Sequence, residues 1–168
     1  MTMPSAAPAD AVDYIDQTRA TYDKLGYASY QWAENPTPPA MAPLRRPLNT
    51  SRLTLIASGG IYRTGQVAFT HKDDVSLREI ETTVDTSELR VTHFAYDQTD
   101  ARRDPNVVFP IEALRTLVTD GDLGGLTSHA LTFMGGIYSQ RRLAEELIPR
   151  LARKVHEMET DIVLLVPV

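Results

Sequence analysis

The sequence contains no cysteine among its 168 residues. This absence excludes disulfides, thiolate metal sites, cysteine nucleophiles and dithiol redox pairs within these residues. No apolar run approaches the roughly 20 residues that a membrane-spanning helix needs. The first residues also lack the basic and apolar regions of a signal peptide. We therefore predict a cytoplasmic protein that does not bind membranes.

Positive charge is also scarce, because 17 Lys and Arg residues stand against 22 Asp and Glu residues and give a net charge of -5. This balance argues against nucleic acid or an anionic membrane as the main partner. Apolar residues make up 42% of the chain and charged residues 23%, which is enough to build a packed core. The length and composition predict one domain that spans residues 1–168.

Apolar stretches that alternate with amphipathic segments predict the fold class. The predicted strands are Arg52–Ser58, Leu89–Tyr96, Leu126–Phe133 and Asp161–Val168. The predicted helices are Ala9–Tyr27, Pro110–Gly121 and Gln140–Glu159, the last interrupted at Pro149. This alternation predicts an α/β fold, with a three-layer-like sheet of about four mainly parallel strands joined by crossover helices. The final stretch, DIVLLVPV, has the apolar run of a strand that is buried on both faces.

The first 50 residues predict an N-terminal helix followed by an extended strap. Asp10 is placed to cap the helix. Residues 34–50 contain five prolines, so neither a helix nor an interior strand can run through them. We predict that helix and strap pack on the sheet and helices of residues 51–168. The nearby aromatic residues, Tyr14, Tyr22, Tyr27, Tyr30 and Trp32, are interpreted as part of that packing.

The carboxyl ends of parallel strands share one edge of a sheet, and ligands of α/β proteins bind there. Glycine pairs follow two predicted strands and let a ligand approach the main chain. Arg63 could clamp a carboxylate, and His93 or Tyr62 could move a proton. The candidate site residues are Ser58, Gly59, Gly60, Tyr62, Arg63, His93, Asp97, Asn106, His129 and Gly135.

Several motifs give weaker signals. Ser58-Gly59-Gly60 matches neither the G-x-G-x-x-G fingerprint of dinucleotide sites nor the G-x-S-x-G elbow of serine hydrolases. His129 lies inside a predicted strand, where a structural role is more common than catalysis. The segment His71–Asp74 has metal-ligand residue types, but one histidine in a charged loop is more typical of a solvated surface. We predict no metal site.

Several segments of this sequence resemble the selenoprotein B family of glycine, sarcosine, betaine and D-proline reductases. The segments are SGGIYR, RVTHFAYD, DARRDPNVVFPIEAL, GDLGGLTSHALTFMGGI, DIVLLVPV and the N-terminal YDKLGYASYQW. DPNVVFP is the most specific of them. The resemblance covers nearly the whole chain but only the front part of a full-length family member.

The resemblance implies a component of an amino-acid reductase that cleaves a C–N bond of a small amino acid. It also implies a pyruvoyl group on a partner subunit, with no cofactor in this chain. In the family, a selenocysteine or cysteine follows a strand like LLVPV. The resemblance therefore implies a chain that is truncated at the selenocysteine position, lacks its nucleophile and is inactive as it stands.

Two other readings stay open. The chain could be a short, non-catalytic homologue that acts as a binding or scaffold subunit and associates with itself or another chain through an uncovered sheet edge. It could also be an unrelated α/β domain that uses its glycine turns to bind an anion.

Overall fold

A computed structural model of the chain describes residues 13–29, 34–71 and 73–168. The chain divides into two units, residues 1–42 and residues 43–168. The packing of the N-terminal 50 residues on the rest of the chain stays a prediction.

Within the described residues of the first unit, 13–29 and 34–42, there is one helix, α1 (Tyr14–Lys24). Asp13 is its N-cap, because the Asp13 side chain accepts hydrogen bonds from the main-chain N–H groups of Ile15 and Asp16. The helix ends at Leu25, before Gly26. Four residues named for the predicted helix and its aromatic cluster lie outside the described residues: Ala9, Asp10, Tyr30 and Trp32.

The main sheet belongs to the second unit. Its strands are β1 (Arg52–Ala57), β3 (Arg78–Glu81), β5 (Gly125–Leu126), β6 (His129–Thr132) and β7 (Ile162–Val166). β5 and β6 pair in turn with the two ends of one side of β1, and β7 pairs with the other side. All three are parallel to β1, whereas β3 joins β6 in the antiparallel direction. The strand positions therefore run β3, β5/β6, β1, β7, and this mixed, mainly parallel sheet confirms the predicted α/β class.

β7 is an edge strand, and one of its faces is exposed. The predicted burial of both faces is therefore wrong. Leu165 is 66% exposed and Val163 is 38% exposed. The intervening residues, Ile162, Leu164 and Val166, pack against the core. In the described part of the chain, no strand pairs with the outer side of β7. The run of five apolar residues therefore alternates between one covered and one open face.

A second sheet has two strands and is called the ribbon below. β2 (Ile61–Arg63) pairs in the antiparallel direction with β4 (Leu89–Val91). The predicted strand Leu89–Tyr96 was therefore placed in the wrong sheet and made too long. The strand ends at Val91 and residues 94–96 bend, although Thr92 still donates its main-chain N–H to the Gly60 carbonyl at the end of the ribbon.

The helices of the second unit lie between these strands. They are α2 (Thr99–Arg103), α3 (Ile111–Thr119), α4 (Gln140–Arg142) and α5 (Ile148–Glu157), and a π-helical turn, Leu143–Leu147, joins α4 to α5. The π turn stands just before Pro149, where the sequence predicts an interruption. Proline has no N–H to donate to the preceding turn, which favours such an irregularity there.

The core lies on both faces of the main sheet. On one face, Leu55 and Ile80 pack with Ile61 of the ribbon. Phe109, which precedes α3, and Leu114, which lies within it, belong to the same cluster. On the other face, a smaller cluster is built from Val75, Ile137 and Leu147, with Phe133 and Leu151 beside it. None of the helices that the structure describes is long and apolar enough to span a membrane.

Candidate functional site

The Gly59–Gly60 turn takes the chain from the main sheet into the ribbon. Gly59 bridges to Met134, and the Gly60 N–H donates to the Phe133 carbonyl at 3.0 Å. Gly60 has φ +71°, and a β-carbon built on it would lie 2.0 Å from the Thr92 carbonyl oxygen. Only glycine fits this crossing of two main chains. The turn thereby brings the end of β1 against residues 92 and 93.

Ser58 gathers a second set of main-chain contacts at the same end of β1. Its carbonyl accepts the N–H of Gly135 at 2.8 Å, and its Oγ accepts the N–H of Val168 at 2.9 Å. A β-carbon on Gly135 would lie 3.1 Å from the Ser58 β-carbon, so a larger residue would push the two segments a few tenths of an ångström apart. Ser58, Gly59, Gly60 and Gly135, all named from the sequence, therefore lie together.

His93 completes this group and is only 2% exposed. Its Nδ1 accepts the main-chain N–H of Ala95 at 3.1 Å, so in the neutral ring the proton sits on Nε2. Nε2 is buried and has no hydrogen-bond partner among the described residues. Burial lowers the pKa of His93, because a charged imidazolium is poorly solvated there. The histidine is therefore neutral at pH 7.

The sequence places Tyr96 at the end of the predicted strand Leu89–Tyr96, on the same sheet edge as His93, although Tyr96 is not among the candidate site residues. Its ring lies 4.6 Å from the His93 ring, centroid to centroid, and its hydroxyl donates to the Gly59 carbonyl at 2.9 Å. Burial raises the pKa of Tyr96, an effect that the charge of Arg102 opposes.

The structure places most of the other candidate residues in local structural contacts. The Arg63 Nε donates to Glu88 at 2.7 Å, and this hydrogen bond is the main reason why the pKa of Arg63 is raised. Tyr62 has its hydroxyl 3.4 Å from the Thr92 hydroxyl and its ring edge-to-face with Phe69. Tyr62 is therefore near the turn, whereas the Arg63 guanidinium already has an acidic partner.

Asp97 and Asn106 make hydrogen bonds close to the starts of α2 and α3. Asp97 accepts hydrogen bonds from the N–H and the hydroxyl of Thr99, which lower its pKa. Asn106 donates to Glu112 and accepts the main-chain N–H of Glu112 at the start of α3. Both side chains have their hydrogen bonds met locally.

His129 lies at the opposite end of its strand from the glycine turn. It begins β6 and pairs with Glu81, whereas Thr132, at the other end of β6, pairs with Ala57. At about 3.3 Å per residue, three residues put His129 roughly 10 Å from that end. The structure therefore does not bring His129 to the predicted edge.

The charged segment near His71 holds a loop together. The Asp73 carboxylate accepts the main-chain N–H groups of Tyr138 and Ser139, and Asp74 accepts those of Thr70 and Ser76. Lys72 lies outside the described residues. Across residues 13–29, 34–71 and 73–168, no group of three or more histidine or acidic side chains is arranged to hold a metal ion.

Comparisons with known proteins assign the family. The family model for glycine/sarcosine/betaine reductase selenoprotein B matches residues 34–167. A curated relative, the D-proline reductase subunit gamma of Acetoanaerobium sticklandii, is 32% identical over 128 residues. That match covers 76% of this chain but only 53% of the relative, so the chain spans about half of the relative's length. No solved structure matches the chain. The chain therefore belongs to the glycine/sarcosine/betaine reductase selenoprotein B family.

Proposed function

We propose that this chain is a component of a reductase that cleaves a C–N bond in a small amino acid or its N-methylated derivative. The observation that carries the proposal is the family match over residues 34–167, which includes every strand from β1 to β7. The curated relative is named as a subunit of D-proline reductase. The proposal therefore includes a partner subunit that contributes to the reaction.

The chemistry is divided between this chain and its surroundings. A pyruvoyl group on the partner subunit would supply a carbonyl that takes up the substrate amine. Residues 1–168 contain no cysteine, so in this proposal a selenocysteine or cysteine outside these residues, directly after Val168 in the complete protein, acts as the nucleophile. This chain contributes the surface against which substrate and nucleophile meet.

In the proposal, that surface is the glycine turn with its neighbours. A β-carbon on Gly59, Gly60 or Gly135 would meet Val108, Thr92 or Ser58, so these glycines let the protein's own segments pack closely at the turn. Ser58 Oγ holds the main chain at Val168, since it accepts that residue's N–H. His93 is the polar group of the surface whose hydrogen bonds are not complete.

Arg63 is the proposed clamp for the substrate carboxylate, and its present partner makes the proposal testable. To act as a clamp, Arg63 would have to exchange the Glu88 carboxylate for that of the substrate. An Arg63→Ala variant that binds substrate as tightly as the unmodified protein would dismiss this role.

The decisive experiment starts from the native protein. We expect the gene to continue beyond codon 168 with family-like sequence, and the intact mass of the native product to include selenium or a cysteine after Val168. Purified with its partner, that product should reduce glycine, sarcosine, betaine or D-proline when a dithiol is supplied. A native product with neither residue, together with no turnover of these four compounds, would overturn the proposal.

The exposed edge of β7 favours a second candidate, a binding or scaffold subunit. The Ser58 N–H donates to the Val166 carbonyl. Because main-chain groups alternate along a strand, those of Val163 and Leu165 therefore point away from β1. Exposed apolar side chains and open main-chain groups are the features of an edge that pairs with another chain. Pro167 has no N–H, which limits that pairing to a short stretch.

Light scattering tests the edge directly. If β7 mediates self-association, the native chain should be larger than a monomer, and Leu165→Lys should return it to a monomer. Val67→Lys is the matched control, because Val67 is 78% exposed but lies outside the strands. A native chain that is monomeric at all concentrations would refute self-association through this edge.

A further inference from the structure

His93 has one hydrogen-bond donor more than its surroundings use. The Ala95 N–H occupies Nδ1 at 3.1 Å, which leaves the ring proton on Nε2. Nε2 is enclosed, and no acceptor is within reach in the described part of the chain. Buried polar atoms without a partner are rare in folded proteins, and each calls for a reason.

No acceptor near His93 is within hydrogen-bond reach of Nε2 in the described residues. The Tyr96 ring packs on the His93 ring, but the Tyr96 hydroxyl bonds to the Gly59 carbonyl and not to Nε2. Asp97, the next acidic residue in the sequence, accepts hydrogen bonds from Thr99 and none from His93. In this arrangement an acceptor for Nε2 has to come from outside these residues.

We infer that His93 donates a hydrogen bond from Nε2 to the carboxylate of a small amino acid bound against the Gly59–Gly60 turn. The choice of ligand rests on the proposed function, whereas the unused donor does not. A carboxylate suits the position because hydrogen bonds to charged oxygen are about twice as strong as neutral ones.

His93 thus acts as a hydrogen-bond donor and not as the proton carrier expected from the sequence. The ring lone pair on Nδ1 accepts the Ala95 N–H, so the resting imidazole has no lone pair left to act as a base. His93 is thus a binding and positioning residue. Since Nε2 is enclosed, the turn that follows must shift on binding, and Phe94 in that turn is 56% exposed.

Two substitutions at position 93 separate the two ring nitrogens. In His93→Asn, the amide oxygen replaces Nδ1 and can still accept the Ala95 N–H, but no donor reaches the Nε2 position. In His93→Gln, the amide nitrogen replaces Nε2 and keeps the donor. We expect glycine, sarcosine, betaine or D-proline to raise the melting temperature of the unmodified chain and of His93→Gln, by an amount that grows with the logarithm of the ligand concentration above Kd. His93→Asn should lose at least ten-fold in affinity.

The control is His156→Asn, because His156 is exposed on α5 and no side-chain contact of the described residues depends on it. This variant should bind like the unmodified chain. Binding by His93→Asn that equals the control would overturn the inference. So would a complete lack of binding by the unmodified chain to all four amino acids.

Nitrogen NMR of the His93 ring gives a readout that does not depend on folding of the variants. We expect the Nε2–H tautomer in the free chain, and a shift of the Nε2 resonance when the amino acid is added. An Nδ1–H tautomer, or an Nε2 resonance that none of the four ligands moves, would overturn the inference and point to a buried water molecule. Reductase activity of the native complex would then still support the proposed function, so the two failures are distinguishable.

Discussion

Gly60→Ala tests whether the crossing of main chains at the glycine turn sets the geometry of the site. Two separate costs are expected. The φ of +71° disfavours any residue with a β-carbon by roughly 1–2 kcal/mol. In addition, the new β-carbon would lie 2.0 Å from the Thr92 carbonyl oxygen, whereas ordinary contact begins at 3.4 Å. Because the obstacle is main chain and not a flexible side chain, the two segments must separate.

That separation would break hydrogen bonds on both sides of the turn. The Thr92 N–H donates to the Gly60 carbonyl, and the Gly60 N–H donates to the Phe133 carbonyl, each at 3.0 Å. With about 0.5–1.5 kcal/mol for each lost bond, the total loss is about 2–5 kcal/mol. For a chain of this size, about 2–4 °C per kcal/mol gives a fall in melting temperature of roughly 4–20 °C.

Gly121→Ala is the matched control. Gly121 has a similar φ of +81°, but a β-carbon there would meet no atom within 4 Å. It should therefore show the conformational cost alone, about 1–2 kcal/mol or roughly 2–8 °C. Thermal unfolding followed by circular dichroism compares the two variants. Equal melting temperatures would refute the close approach at Gly60, whereas a Gly60→Ala chain that cannot be isolated folded, beside a stable Gly121→Ala chain, would support it.

Three other predictions test the hydrogen bonds around the sheet. Burial lowers the pKa of His93 below the ordinary histidine value of 6.5, so below that pH the unfolded chain binds more protons than the folded chain. The free energy of unfolding should therefore fall as the pH drops below 6.5. Chemical denaturation at pH 5 and pH 7 should show this fall in the unmodified chain and a smaller one in His93→Gln. Thr54→Val should cost about 1–3 kcal/mol, because Thr54 is fully buried and its hydroxyl lies 3.0 Å from that of Thr127 and 2.7 Å from that of Thr160; a urea midpoint unchanged from the unmodified chain would contradict this. Asp73→Ala should lower the free energy of unfolding by about 1–2 kcal/mol, because it loses the hydrogen bonds from the N–H groups of Tyr138 and Ser139. Asp73→Asn keeps an acceptor and tolerates the φ of +46°, so it should cost less in the same assay.

The fold class could be predicted because β1 and β7 are apolar and the helices between them are amphipathic. β3 could not be, since its sequence, Arg-Glu-Ile-Glu, has only Ile80 buried and carries charge on the other face. The strand at residue 89 was found, but its partner was not. Periodicity shows which face of a strand is buried and gives no information about which sheet it joins.

For the ion pair of Arg63 with Glu88, the two residues are 25 positions apart in sequence. Only the antiparallel pairing of β2 with β4 brings them together. A basic residue just after a strand looks available for a ligand when the sequence is considered alone. The same residue has an acidic partner once the ribbon is known, and that partner could not be inferred without the strand pairing.

Whether a polar candidate residue finds a hydrogen-bond partner depends on the distance between its polar atoms and nearby main chain. Asp97 and Asn106 stand beside helical turns, where short polar side chains bond to main chain a few residues away, and both do so. His93 follows the same rule with one nitrogen only, because Nδ1 takes the N–H of Ala95, two residues on. The imidazole carries a second nitrogen on the far side of a rigid ring, and that atom cannot turn back to the same segment. His93 therefore keeps one buried ring nitrogen, Nε2, that no group in the described residues satisfies.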